Sequence, residues 1–169
     1  MKKPDSLRTH MLNAVKELQR DPDRLLIHTE NGKIRCLMAN GLSFEYEYEL
    51  SFILTDYAGE LDAVMIPLLD WVRINQSELL VNLEKSKNSF KFETVLLDNS
   101  KVDLALTFPI TERVIVKRQP DGQLNISFPD EPQYETAAEP TPFKMLDHKT
   151  GEILAEWMSA DPENSYFGP

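Results

Sequence analysis

Cysteine is nearly absent from the sequence, and histidine is scarce. Cys36 is the single cysteine among 169 residues, and there are three histidines. One cysteine excludes an internal disulfide and leaves no cysteine cluster for zinc or an iron–sulfur centre. His10, His28 and His148 have no second histidine or cysteine at metal-ligand spacing, so we interpret them as structural or surface residues. The strand pattern places Cys36 on an apolar face, where we expect it to be buried and inert.

Short motifs of common enzyme sites are also missing. The chain contains no nucleophile elbow, no phosphate-binding loop and no dinucleotide-binding fingerprint. We therefore predict no catalytic residue, no metal site and no cofactor.

Long apolar runs and an excess of basic charge are absent as well. No stretch approaches the ~20 apolar residues of a membrane span, which predicts a soluble protein that is used without export and has no membrane partner. The net charge is −10, divided into −3 for residues 1–128 and −7 for residues 129–169. A chain this acidic, without a basic stripe, is a poor candidate for gripping nucleic acid.

The clearest pattern in the sequence is the stretch LSFEYEYELSFIL, residues 42–54. Apolar side chains occupy every second position, and Glu45, Glu47 and Glu49 alternate with them. Strict alternation predicts a β-strand with one buried face, because successive side chains point to opposite sides. The glutamate face then meets water, a basic partner or something that it repels.

A cross-strand arrangement offers one explanation of the glutamates. Lys33 and Arg35 share a parity on the preceding strand, so they are the natural partners of Glu45 and Glu47. This pairing requires a bulge or a three-residue loop at Asn40-Gly41, since a tight two-residue turn would shift the register by one.

The remaining periodicities predict an α+β fold. We expect a mainly antiparallel β-sheet packed by two helices, in the order helix, strands, helix, strands, followed by a C-terminal β-hairpin on a proline-rich linker. The helices cover residues 6–20 and 60–76, and Pro67 kinks or restarts the second helix. Strands are expected on both sides of an Asn31-Gly32 hairpin turn, at 42–55, and in four runs at 90–97, 102–108, 111–118 and 123–128.

The chain divides into three parts by composition. Residues 1–128 form the α+β core, residues 129–142 form an acidic linker with four prolines, and residues 143–169 form a hairpin and a flexible end. The hairpin is too apolar for a solvated tail, so we predict that it contacts either the core of its own chain or a partner, and we favour the partner. The candidate contact residues are Phe143, Met145, Leu146, Ile153, Leu154 and Trp157.

Several stretches resemble one protein family. They are KKPDSLR, SFEYEYEL followed by LTDYAG, DAVMIPLLDWVRINQSELL, LLDNSKVDL and ITERVIVKR, in that order from about residue 3 to residue 118. Together they are similar to the tail completion protein R family of Peduovirus-like contractile-tailed bacteriophages.

The resemblance implies a structural protein of tail assembly, not an enzyme. The element order of this family also looks like that of tail terminators. Tail terminators form a hexameric ring that stops tube polymerisation and presents the finished tail to the head. The resemblance thus implies a homohexamer that is assembled in the host cytoplasm and acts in the virion tail. Its implied partners are the tail tube or sheath protein and a head-completion protein. DNA would pass through such a ring without being bound, and Glu45, Glu47 and Glu49 would line the lumen and repel it.

Two other functions stay open at this point. The protein could be a monomeric adaptor or chaperone of tail assembly that binds one partner transiently. It could also be an enzyme with an unrecognised acidic site, for which the glutamate row is the sole support.

Overall fold

Two long antiparallel strands organise the computed structural model, which describes residues 1–36, 41–97, 100–132 and 140–159. The strands, in chain order, are β1 Leu25–Cys36, β2 Phe44–Tyr57, β3 Lys91–Leu96, β4 Val102–Arg118, β5 Leu124–Ser127, β6 Pro142–Leu146 and β7 Ile153–Met158. The helices are α1 Lys3–Ala14, α2 Lys16–Arg20, α3 Asp62–Asn75, α4 Glu78–Val81 and α5 Leu83–Ser89. A 3₁₀ turn, Pro22–Arg24, precedes β1.

The main sheet has the strand order β1-β2-β4-β3, and β5 pairs with the far end of β4. Every pairing is antiparallel, and β6 and β7 form a separate hairpin. The predicted α+β class, the antiparallel sheet and the C-terminal hairpin are therefore confirmed.

One face of the sheet is covered by helices and the other is bare. Side chains of the covered face alternate along β2 and β4 with side chains that face solvent, as the sequence pattern predicts. The buried core joins Tyr48, Leu50, Phe52, Leu54, Leu104, Leu106, Phe108 and Ile110 of the sheet to Leu7, Met11, Val64, Leu68, Trp71 and Val72 of the helices. We call these two sides the core face and the bare face.

The Asn31-Gly32 pair does not make the predicted hairpin turn. β1 runs unbroken through it, and its register with β2 shifts between Glu30 and Lys33. Asn31 adopts a positive φ of 52°, the conformation of a bulge residue. β2 is long enough to pair on both sides of this bulge, so the same local conformation serves a bulge instead of a turn.

The predicted register beyond the bulge is confirmed. Lys33 lies opposite Glu47 and Arg35 lies opposite Glu45. Asn40 of the predicted loop lies outside the described residues. Cys36 has the expected parity, opposite Phe44, but it is exposed rather than buried because the helices do not reach this end of the sheet.

The two predicted strands 102–108 and 111–118 are one strand, β4, with Pro109 inside it. Pro109 is tolerated because β3 pairs with residues 102–107 and β5 with residues 115–118, which leaves the stretch between them without a strand on that side. The Thr111 N–H in this gap is bound instead by Oε1 of the buried Gln76, at 3.2 Å.

The first predicted helix is broken at Val15. This residue is extended (φ −96°, ψ 114°) and forms an isolated antiparallel bridge with Ala155 of β7, so α1 ends at Ala14 and α2 begins at Lys16. The second predicted helix, α3, continues through Pro67 without restarting.

A buried histidine joins the two long helices. His10 of α1 has its Nε2 3.0 Å from the carbonyl oxygen of Pro67 in α3, and it is almost fully buried. Burial lowers the pKa of His10 below its ordinary value of 6.5, although the Pro67 carbonyl and Asp70 favour the charged form.

This burial predicts a loss of stability in mild acid. As the pH falls below 6.5, the unfolded chain takes up a proton at His10 before the folded chain does, so the free energy of unfolding falls. The slope is bounded by about 1.4 kcal/mol per pH unit. We expect His10→Gln to reduce the slope between pH 7 and pH 5 in denaturant titrations. An identical slope in the wild type and the variant would contradict this account.

Candidate assembly surfaces

The three glutamates of β2 lie on the bare face, where the alternation predicts them. Arg35 of β1 bridges two of them, with Nη2 2.7 Å from Oε2 of Glu45 and also in contact with Glu47. Glu49 accepts a 2.5 Å hydrogen bond from Nδ2 of Asn31, the bulge residue. On the other side, Arg113 of β4 lies opposite Glu45.

The glutamate row is thus partly neutralised by its neighbours at one end. The Arg35 side chain is 62% exposed, so each of these ion pairs contributes only ~0.2–1 kcal/mol. Cross-strand pairing therefore occurs at Glu45 and Glu47, whereas Glu49 has a neutral amide as its partner. In the described residues, no group of three or more histidine, cysteine or acidic side chains could hold a metal ion.

The C-terminal hairpin packs on helices of its own chain. Ala155 is fully buried and bridges Val15, between α1 and α2. Trp157 packs against the core cluster, and its Nε1 donates a 2.9 Å hydrogen bond to Oδ2 of Asp70 in α3. Phe143, directly opposite Trp157 on β6, stacks edge-on against it with ring centroids 5.6 Å apart.

The six candidate hairpin residues do not share one environment. Trp157, Met145, Ile153 and Leu154 are half-buried, whereas Phe143 and Leu146 are 40% and 54% exposed. Contact of the hairpin with a partner stays a prediction, and the surface available for it is centred on the exposed members.

An open apolar groove of about 540 Å³ lies between the hairpin and α3. Ile66 and Leu69 of α3 line one side and are 46% and 40% exposed, while Phe143 and Met145 line the other. Sequence reasoning missed this groove. The available signal was the stretch DAVMIPLLDWV, which has more apolar positions than one buried helix stripe requires.

A buried lysine anchors the residues that follow β5. Lys3 Nζ donates to the Asn75 carbonyl oxygen (2.5 Å), to Gln76 Oε1 (2.9 Å) and to Glu131 Oε1 (2.7 Å). Burial lowers the pKa of Lys3 despite the opposing effect of Glu131. Ser77 Oγ also donates to the Pro132 carbonyl oxygen (3.3 Å), so the beginning of the predicted linker is held against the core.

A buried carboxylate secures the same, N-terminal end of α1. Glu112 falls on the core face of β4 and accepts hydrogen bonds from the Lys2 backbone N–H (2.7 Å) and the Tyr48 hydroxyl. Burial and this carboxylate raise the pKa of Tyr48 far above its ordinary range. An acid on the apolar parity of a strand was the sequence signal for this contact.

The docking of the hairpin predicts a specific loss of stability. Trp157→Ala removes the indole that packs against α3 and Phe143, so we expect the free energy of unfolding to fall by about 2–4 kcal/mol. Trp157→Phe keeps an aromatic ring beside Phe143 but removes the N–H to Asp70 and part of the indole, so it should cost less, about 1–2 kcal/mol. Met158→Ala, exposed on the neighbouring position, is the matched control and should change stability little.

These values can be measured by chemical denaturation, with hydrogen exchange of β6 and β7 as a local readout. Equal stability of Trp157→Ala and wild type would show that the hairpin does not rest on its own helices in solution.

Among the described ranges, no helix is long and apolar enough to cross a membrane.

No solved structure matches the chain. The sequence profile of the P2 phage tail completion protein R (GpR) family matches residues 1–132. The chain is 36% identical over 157 residues to the tail completion protein R of Escherichia phage P2, an alignment that spans 93% of this chain and 99% of that protein. Both the profile and the pairwise match run past residue 118, where the resemblance read from the motifs ended, and the chain belongs to the P2 phage tail completion protein R family.

Proposed function

We propose that this tail protein caps the end of the tail tube as a homohexameric ring and prepares the tail for joining to the head. Membership of the tail completion family supports a role at the end of the tail. The structural observation that supports the ring is the bare face of the sheet. In the described part of the chain, the residues of β2 and β4 on this face are half-buried or exposed, apart from Ser51. In a ring, such a face has a function, because the bare faces of the copies can together line a central channel.

In this proposal the bare face is directed to the lumen, where DNA passes as cargo and is not bound. Glu45, Glu47 and Glu49 supply the acidic wall that repels phosphates. The pairing of Arg35 with two of them reduces the repulsion at one end, whereas the partner of Glu49 is the neutral amide of Asn31.

The outer surface provides contacts to other tail components. The groove beside α3, with exposed Phe143 and Leu146 on the adjoining hairpin, is suited to an apolar segment of tail tube or sheath protein. A head-completion protein would then bind the ring at its free end. The protein acts in the virion tail, after assembly in the host cytoplasm.

The alternative is a monomeric adaptor or chaperone of tail assembly. One observation favours it: the hairpin packs on its own α1 and α3, so this part of the core is closed without a second chain.

Native mass spectrometry across a concentration series separates these two functions. A chain of 19.4 kDa should give a species of six chains, either alone or after addition of purified tail tubes. The ring should form because each chain exposes surface that its own helices do not cover. A monomer under both conditions, bound one-to-one to a tail component, would support the adaptor and contradict the ring.

The acidic wall is tested by charge reversal at Glu45, Glu47 and Glu49. The triple change to lysine should leave the ring intact and increase its affinity for duplex DNA by at least about tenfold at low salt, falling steeply as salt is added. The matched control reverses Glu60, Glu78 and Glu84, which lie outside the sheet. Equal DNA binding by the two triple variants, measured by fluorescence anisotropy, would contradict a lumen position for the β2 row.

A further inference from the structure

Both outer strands of the main sheet have a free edge in the part of the chain that the structure describes. β1 pairs only with β2, and β3 pairs only with β4. All six residues of β3 are exposed, including Phe92, Val95 and Leu96 at 62%, 59% and 85%. An exposed strand that carries apolar side chains and an open row of backbone donors and acceptors is a ready template for another strand.

We infer that β3 of one copy pairs antiparallel with β1 of the next copy, and that this contact builds the ring of the proposed function, on which the inference rests. The partner is therefore a second copy of this chain. The contact joins two different edges, and such a head-to-tail interface gives a ring when the rotation between copies closes and an open filament when it does not.

Strand direction favours this arrangement. Since each neighbouring pair in β1-β2-β4-β3 is antiparallel, β1 and β4 run one way and β2 and β3 run the other. A following β1 that is antiparallel to β3 then has the direction of the first β1. Every copy keeps the same orientation, as rotation about a single axis requires, and the bare faces form one continuous wall.

Side-chain chemistry selects one register. Lys91, Glu93 and Val95 of β3 share the bare face, because they lie opposite Thr107, Ala105 and Asp103. Leu26, His28 and Glu30 of β1 share the same face, because they lie opposite Ile53, Ser51 and Glu49. In one register Lys91 meets Glu30 of the next copy, Glu93 meets its His28, and Val95 meets its Leu26.

Neighbouring registers lose this match. A shift of two residues places Glu93 against either Glu30 or Leu26 of the next copy, which is a like-charge or a charge-to-apolar pair. Cross-strand pairs of this kind differ by ~0.2–1 kcal/mol each, so three matched pairs are enough to fix the register. The selected register also uses all six residues of β3 against residues 25–30, which precede the β1 bulge.

The backbone groups of the two edges point toward each other. Thr111, on the bare face of β4, directs its N–H away from β2. Since β1 runs in the same direction as β4, its core-face residues Ile27 and Thr29 direct their backbone groups to the free edge. They would pair with Thr94 and Phe92, and the ladder ends at Leu25, whose carbonyl oxygen already binds Arg8 Nη1 at 2.7 Å.

Space on the core face is consistent with a neighbour there. An open groove of about 570 Å³ lies beside the end of β3, lined by Leu61, Thr94, Leu96 and Val102. Leu96 has its side chain on the core face but is not covered by a helix of its own chain. The corner between α1 and β1 of the next copy would cover it.

A charge exchange tests the contact. Lys91 and Glu30 occupy opposite edges of one sheet, about 14 Å apart at ~4.8 Å per strand, so any coupling between them is between copies. Lys91→Glu and Glu30→Lys should each raise the concentration for half-assembly at least about fivefold. An equimolar mixture should restore assembly, because alternating copies then place opposite charges at every interface. Lys87→Glu, on α5, is the control and should assemble normally.

A designed disulfide gives a direct readout of the register. In a Cys36→Ser background, Val95→Cys with Leu26→Cys should oxidise to a covalent ladder of chains, with or without tail tubes. Val95→Cys with His28→Cys, shifted by two residues, should not cross-link.

The outcomes separate the edge contact from the proposed function. A wild-type ring whose 95/26 variant fails to cross-link would overturn the edge contact and leave the ring. A ladder without a closed species would support the edge contact and overturn the ring. Monomers without cross-links, both alone and with tubes, would overturn both.

Discussion

The pairing of β2 with β4 is the constraint on which the rest of the structure depends. The two strands stay in register from Phe44 opposite Val114 to Leu54 opposite Leu104, and apart from Glu112 their side chains on the core face are apolar or aromatic. A slip of one residue would exchange the core face for the glutamate face, so the register is fixed by burial itself. The helices, the free edges and the bare face all take their positions from this pair.

Polar contacts hold the helices to that sheet at defined points. Glu112 on the core face binds the backbone before α1, and Gln76 after α3 fills the gap beside Pro109. Lys3 joins Gln76 to Glu131, so that one network connects α1, α3, β4 and the chain leaving β5. Because Lys3, Gln76 and Glu112 are buried, removal of any one of them would cost its partners a hydrogen bond inside the protein.

In the proposed function, the division between a covered face and a bare face relates the fold to tail completion. The covered face supplies the stability of a single chain, including the hairpin that packs against α1 and α3. Among the described strands, β1 and β3 each pair on one side alone, and the proposed ring uses these edges together with the bare face. A short exposed strand such as β3 exposes a monomer to unwanted pairing with other chains. In a protein that functions as part of a larger structure, the same edge can pair with a neighbour.

The sequence by itself determined the alternation of β2, the α+β class, the C-terminal hairpin and the placement of Arg35 opposite Glu45. Each of these follows from periodicity, which depends only on residues close in sequence. Where local signals were ambiguous, the tertiary structure decided the conformation of the backbone. Asn31-Gly32 became a bulge because β2 continues past it, and Val15 left the helix because Ala155 of a distant strand bridges it.

The burial of individual strand side chains also depended on the tertiary structure. Cys36 and Leu96 have the parity of core residues, but they are exposed because none of the described helices extends over them. Pro109 was tolerated inside β4 because β3 and β5 stop on either side of it. Periodicity gives the face of a strand on which a side chain lies, whereas its burial depends on what distant segments place above that face.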